Sequence, residues 1–160
     1  MQDRNYSNYY LISLSLLIAI LLTLLPLPNW ALLARPHWIL LVLLFWLMTV
    51  PFQVNVGIAF LMGLLTDLVT GTLLGQHAFI YTLIAYIFIK FCVRFNHVAM
   101  YQQLLFISAL VGADILMDYI LHNLTNTPVY QIAWLSIITS AIVWPWLSWV
   151  LRECQHDTDM

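Results

Sequence analysis

The chain has 160 residues, of which 63% are hydrophobic and only 8% are charged. An ordinary soluble domain carries about 25% charged residues, so this composition excludes a soluble globular protein and indicates a polytopic membrane protein. Only five Lys and Arg residues are present and they form no basic groove, which excludes nucleic acid as a partner. The whole length, 1–160, is predicted to form a single integral membrane domain.

Six apolar blocks follow one another along the chain, and each is predicted to form a transmembrane helix. At 1.5 Å per residue they rise about 23 to 32 Å, which matches a hydrocarbon core of about 30 Å if the shorter blocks recruit flanking residues. Their bounds are Tyr9–Leu25, Pro36–Val50, Val54–Val69, Gln76–Val93, Gln103–Leu121 and Gln131–Leu151. Between the second and third blocks, Pro51 to Gln53 fits the tight turn of a helical hairpin, with a re-entrant pair as the alternative.

The positive charges predict the orientation of these six spans. With six crossings, Arg4, Lys90, Arg94 and Arg152 fall on one side of the membrane and Arg35 falls on the other. Cytoplasmic loops carry the excess of Lys and Arg, so both termini are predicted to be cytoplasmic.

A carboxylate lies among glycines in the third span. Gly63, Asp67 and Gly71 are four residues apart, a spacing that places them on one helix face, where glycines allow another backbone to approach closely. One interpretation is a helix-packing seam in which Asp67 hydrogen-bonds to a neighbouring hydroxyl or amide. The other is a site for a ligand or a partner. A carboxylate within a membrane span costs free energy, so such residues are rare and usually have a function.

The fifth span carries two more carboxylates. Asp114, Asp118 and His122 are each one turn apart and line one stripe of the predicted helix. In the predicted topology all three aspartates of the third and fifth spans lie in the outer half of the membrane. This depth favours a pocket open to the outside, with Arg35 as a counter-charge, over a proton path through the membrane.

Catalytic and metal-binding patterns are missing from the sequence. It contains no Gly-x-Gly-Asp or Gly-x-Ser-x-Gly motif, no HExxH motif and no phosphate-binding glycine loop. Cys92 and Cys154 are far apart in sequence, and His37, His77 and His97 occur singly at span ends and in loops, where interfacial histidines are common. No catalytic residue, metal or cofactor is predicted, and the protein is not expected to be an enzyme.

Several short motifs, in their order and spacing, resemble one protein family over nearly the whole chain. They are Arg35 to Leu41, Val54 to Gly57, Phe60 to Gly63, Asp67-Leu68, Gly71-x-x-x-Gly75 and Trp144-Pro145-Trp146. Together they resemble the bacterial rod shape-determining protein MreD family.

The resemblance implies a non-enzymatic subunit of the inner-membrane machinery for cell elongation and peptidoglycan synthesis. Its partners would be an MreC-like bitopic membrane protein and, through it, an MreB-like actin filament and the elongation glycosyltransferase and transpeptidase. The family is also similar in fold to the substrate-binding membrane subunits of energy-coupling-factor transporters, which hold a small ligand on the outer side.

Two functions therefore stay open at this point. The first is a membrane scaffold for the MreC-like partner, and the second is a subunit that binds a small molecule or a lipid headgroup in an outer pocket. A scaffold would use Asp67, Asp114 and Asp118 only as hydrogen-bonding groups, so we expect Asn to preserve much of the function at each position.

Overall fold

The part of the chain that the structure describes is all-helical, as predicted. The computed structural model describes residues 3–25, 28, 35–51, 53–92, 100–125 and 134–158. The helices are α1 (Asp3–Leu24), α2 (Trp38–Thr49), α3 (Val56–Thr70), α4 (Gln76–Cys92), α5 (Met100–Thr125) and α6 (Trp134–Thr158). Each helix overlaps one predicted apolar block, with bounds that differ by up to seven residues. Arg94, His97 and the predicted span limits Val93 and Gln131 lie outside the described residues, as does the side chain of His122.

Helix α2 forms the centre of the fold. Its residues from Ile39 to Leu47 are all buried, and it contacts α1, α3, α4 and α6. A helix that is apolar on every side is stable when other helices surround it, which explains why the most uniformly apolar segment occupies this position. The indole N–H of Trp46 donates a hydrogen bond to Ser15 Oγ of α1 at 2.8 Å, so this buried polar atom has a partner.

The outer surface of the bundle exposes many large apolar side chains. Leu68, Leu105 and Ile142, for example, are 65%, 70% and 68% exposed. Extended exposed apolar surfaces mark contact with a membrane or another protein. The helical bundle therefore presents a surface that lipid or a membrane partner can cover.

The helices differ in length. Among the described residues, stretches long and apolar enough to cross a bilayer are found in α5 (Tyr101–Ile120) and α6 (Leu135–Gln155). Tyr9–Leu24, Trp38–Thr49 and Val56–Thr70 are shorter apolar stretches. The 12 residues of α2 rise only about 18 Å, whereas a hydrocarbon core is about 30 Å thick.

A short turn joins α2 to α3. The backbone N–H groups of Gln53 and Val54 both donate to the carbonyl of Val50 at 3.0 Å. Asn55 then caps α3, because its side-chain oxygen accepts from two backbone N–H groups of the first helical turn. This geometry is that of a tight turn between two helices, the first of the two alternatives for Pro51 to Gln53.

Candidate functional site

Asp67 joins the end of α3 to the beginning of α4. Four donors converge on its carboxylate: the Thr72 hydroxyl at 3.0 Å, the Gly75 N–H at 2.8 Å, and the backbone N–H and ring Nδ1 of His77, both at 2.9 Å. Gly75 and His77 flank the first residue of α4, so Asp67 binds the N–H groups that a helix start leaves without partners. Its negative charge also lies at the positive end of the α4 dipole. Only 1% of Asp67 is exposed, so its carboxylate is fully engaged within the chain.

Gly63 allows α3 and α4 to approach closely. A Cβ atom at this position would lie 2.3 Å from Ala78 Cα and 2.6 Å from the His77 carbonyl oxygen. Optimal carbon–carbon contacts are about 3.5 to 4.0 Å, so no side chain fits between the two helices here. The face that the spacing of Gly63 and Asp67 predicts is occupied by α4 of the same chain.

Gly71 has a different role from the one predicted for it. A Cβ atom at Gly71 would meet nothing within 4 Å, so it does not serve close packing, and that expectation is wrong. Its φ of 69° is left-handed, and its N–H donates to the Asp67 carbonyl at 2.9 Å. Gly75 has a φ of 101°. Both glycines shape the turn that carries the donors of the Asp67 carboxylate, because a left-handed backbone favours glycine.

The two carboxylates of α5 have partners on different helices. Asp114 is 1% exposed, and its Oδ2 lies 2.8 Å from His37 Nδ1, immediately before α2. Asp118 Oδ1 accepts a hydrogen bond from the Gln76 amide at the start of α4. It also lies 3.9 Å from His77 Nε2. The predicted stripe therefore connects α5 to the beginnings of both α2 and α4.

A cavity of about 180 Å³ lies beside these contacts, and we call it the polar cavity because Arg35, His37 and His77 line it together with apolar side chains. Thr23 from the last turn of α1, His37 before α2, Thr70 at the end of α3, His77 at the start of α4 and Ser136 in the first turn of α6 all line it. The cavity thus occupies one end of the bundle, where α1 and α3 finish and α2, α4 and α6 begin. The Lys and Arg distribution predicts that this end is external.

Arg35 is part of this cavity. Its guanidinium donates to the Leu22 carbonyl at 3.4 Å, and among the described ion pairs it contacts no aspartate. Partial burial lowers the pKa of Arg35, although a guanidinium remains protonated in proteins. The structure therefore brings Arg35 to the same end of the bundle as Asp67, Asp114 and Asp118, without making it their direct counter-ion.

Two histidines contribute more to the site than the sequence indicated. His77 is buried and contacts Asp67, so its interpretation as an isolated interfacial residue is wrong, and His37 contacts Asp114. Both histidines begin even-numbered helices, whereas the aspartates lie toward the ends of odd-numbered helices. In an up-and-down bundle those positions meet at one end, and this is the sequence signal that could have identified the pairs.

The donors of the cavity define what it can do chemically. The described residues of its lining supply one guanidinium, two imidazoles and several hydroxyl groups, and none of them carries a carboxylate. Behind the histidines, Asp67 is hydrogen-bonded to Nδ1 of His77, and an Asp114 oxygen lies 2.8 Å from Nδ1 of His37. Among the described residues, no group of three or more His, Cys, Asp or Glu side chains is arranged to hold a metal ion.

Comparison with known proteins agrees with the family that the motifs resemble. The family model "rod shape-determining protein MreD" matches residues 4–154. A protein of Haemophilus influenzae (strain ATCC 51907 / DSM 11121 / KW20 / Rd), "Rod shape-determining protein MreD", is 30% identical over 159 residues, which cover 98% of this chain and 97% of that protein. No solved structure matches the chain. Both matches extend over nearly the full length, and the chain belongs to the rod shape-determining protein MreD family.

Proposed function

We propose that this protein is a non-enzymatic, multi-pass scaffold of the bacterial inner membrane in the cell-elongation complex. Membership of the MreD family assigns it to rod shape determination. In the proposed role it holds an MreC-like bitopic partner and, through it, acts with an MreB-like filament and the glycosyltransferase and transpeptidase of peptidoglycan synthesis. A fold similar to the membrane subunits of energy-coupling-factor transporters is part of the proposal.

The engagement of Asp67 is the observation that carries the scaffold proposal. A carboxylate that served as a nucleophile, a general base or a proton carrier would need room for a substrate or a water at one of its oxygens. Both oxygens of Asp67 instead accept hydrogen bonds from the α4 start and its preceding turn. Asp67, the charged residue of α3, therefore supports a rigid pair of helices, which is the property that a scaffold needs.

The proposed topology has six crossings and both termini in the cytoplasm. A reporter fused to Met160 is expected to be active on the cytoplasmic side, because Arg4, Lys90 and Arg152 would then all lie inside. We expect a green fluorescent protein fused at this position to fluoresce and an alkaline phosphatase fused at the same position to be inactive. An active phosphatase at Met160 would place the C-terminus outside and would contradict the proposed topology.

The scaffold proposal also predicts the effect of removing charge from α5. Asp118→Asn keeps a carbonyl oxygen that can accept from the Gln76 amide, and Asp114→Asn keeps one that can face His37. Both variants are expected to restore rod shape in cells lacking the native protein, with membrane levels and co-purified MreC-like partner within about twofold of the unmodified protein. Glu153→Gln, at an exposed position outside the cavity, is the matched control. Lost rescue with normal levels and intact partner binding would rule out a pure scaffold.

A second function is favoured by the polar cavity. A bundle that served only as a scaffold has no need of a space of about 180 Å³ lined by a guanidinium and two imidazoles. Ligand pockets are concave and place a few polar groups for orientation. We therefore propose, as the alternative, a subunit that binds a small molecule or a lipid headgroup at the external end of the bundle.

A further inference from the structure

Two donors at the polar cavity lack partners within the described protein. Ser136 is only 1% exposed and lines the cavity, yet its hydroxyl makes no hydrogen bond there. The Nε atom of Arg35, another lining residue, is likewise buried without a partner. A buried donor without an acceptor destabilises the folded state, so an occupant that carries acceptor oxygens would stabilise this end of the bundle.

The charge of the residues that line the cavity favours an anionic occupant. Arg35 carries a permanent positive charge, carboxylates lie behind His37 and His77, and none of the lining residues that the structure describes carries a carboxylate. Guanidinium groups match the geometry of phosphate and carboxylate oxygens. A water molecule occupies about 30 Å³ in the liquid, so about 180 Å³ accommodates roughly six waters, or a phosphate group with a small substituent.

An apolar groove begins where the polar cavity ends. It has a volume of about 310 Å³, runs between α1 and α6 over α2, and is lined almost entirely by apolar atoms. Along α1 it extends from Leu11 to Leu22, a rise of about 16 Å, which is close to the depth of one leaflet of a bilayer. Trp38 lines both the groove and the polar cavity, so the two spaces meet at this side chain.

We propose that the cavity and the groove together bind one anionic lipid, with its phosphate in the cavity and an acyl chain along α1 and α6. This inference rests on the alternative function proposed above, the binding subunit, and names the class of its ligand. Arg35 and Ser136 contact the phosphate oxygens, and Trp38 lies at the boundary between headgroup and chain. A soluble phosphate ester shares the headgroup chemistry, but only a lipid uses both spaces.

Native mass spectrometry of the purified full-length protein tests the headgroup. The probes are phosphatidylglycerol and phosphatidylcholine with identical acyl chains. We expect the protein to retain phosphatidylglycerol at about one tenth of the concentration needed for phosphatidylcholine. Arg35→Gln should abolish this preference, whereas Arg152→Gln, which removes an exposed positive charge outside the cavity, should preserve it. Equal retention of the two lipids, or an unchanged preference in Arg35→Gln, overturns the proposal.

Ser136→Ala separates ligand binding from folding. The hydroxyl has no protein partner, so its removal should leave the unfolding temperature of the lipid-free protein equal or slightly higher. Retention of phosphatidylglycerol should nevertheless fall severalfold. Unchanged retention of phosphatidylglycerol contradicts the assignment of Ser136 as a phosphate contact, and a lower unfolding temperature of the lipid-free variant contradicts a hydroxyl without a protein partner.

A substitution in the groove distinguishes a lipid from a soluble phosphate. Ile18 lines the groove and is 47% exposed, whereas Leu17 on the same helix is 54% exposed and does not line it. Ile18→Trp should reduce retention of phosphatidylglycerol severalfold, with Leu17→Trp as the matched control, and neither should alter binding of glycerol 1-phosphate. If glycerol 1-phosphate binds in an Arg35-dependent manner and Ile18→Trp does not change lipid retention, the lipid assignment is wrong. Co-purification of the MreC-like partner with the same variants reports separately on the scaffold function.

Discussion

Gly63→Ala is expected to prevent α3 and α4 from packing as a pair. The new methyl carbon would lie 2.3 Å from Ala78 Cα and 2.5 Å from its nitrogen. These are backbone atoms of α4, which cannot rotate away as a flexible side chain can. Overpacking in a core costs about 1 to 3 kcal/mol and occasionally more, and a backbone clash of this size belongs at the upper limit. We expect loss of folded protein from the membrane and loss of rod-shape rescue.

Gly112→Ala is the matched control for this variant. Gly112 is also a glycine within a helix, α5, but a methyl carbon there would lie 3.8 Å from Ile137 Cδ1, which is an ordinary contact with a side chain. Both substitutions remove the same conformational freedom and raise helix propensity equally. Thermal unfolding in detergent should therefore show a large loss for Gly63→Ala and little change for Gly112→Ala. Similar unfolding temperatures for the two variants would show that α3 and α4 do not pack as described.

The helices could be predicted from the sequence because their signal is local. Each apolar block became a helix, and Val54–Val69, for example, corresponds to α3 (Val56–Thr70). The central position of α2 could not be predicted in this way. Although α2 is apolar on every side, the other five blocks are also apolar, and which helices surround a given segment is decided by tertiary packing.

The partners of the charged residues depend on tertiary structure. The spacing of Gly63 and Asp67 predicted a face in contact with protein, and α4 occupies it. The pairing of Asp114 with His37 joins residues far apart in sequence, which no periodicity within a helix reveals. Glycine spacing was also ambiguous, because Gly71 continues the spacing of Gly63 but serves a left-handed turn.

Because of the hydrogen bonds of Asp67, the substitution Asp67→Asn alters stability as well as charge. At the sequence level, Asn was expected to preserve the function of a scaffold at all three aspartate positions. At Asp67 both carboxylate oxygens accept, whereas an Asn side chain has one acceptor and an NH2 group that only donates. In Asp67→Asn the NH2 group would have to point at another donor. That donor would be either the Gly75 N–H or the donors of Thr72 and His77. Asp67→Asn therefore tests the stability of the helix pair as well as the need for a charge.

Asp67→Asn is accordingly expected to destabilise the protein strongly, although the two side chains are similar in size. Hydrogen bonds to a charged group contribute about 1.5 to 3 kcal/mol each, and a buried donor left without an acceptor costs about 1 to 3 kcal/mol. The favourable contact with the α4 dipole is lost as well, so the total loss should be about 3 kcal/mol or more. The unfolding temperature and the amount of protein in the membrane are the measurements.

Asp118→Asn is the control for the loss of stability expected in Asp67→Asn. Asp118 is partly exposed, with 31% of its side chain accessible, and its hydrogen bond from the Gln76 amide can be made by an Asn oxygen. If Asp67 acts by capping α4, only Asp67→Asn lowers stability, and function falls in proportion to the folded protein that remains. If Asp67→Asn were as stable as the unmodified protein and still failed to restore rod shape, the carboxylate charge itself would be required, and the capping role would be secondary to a role in binding.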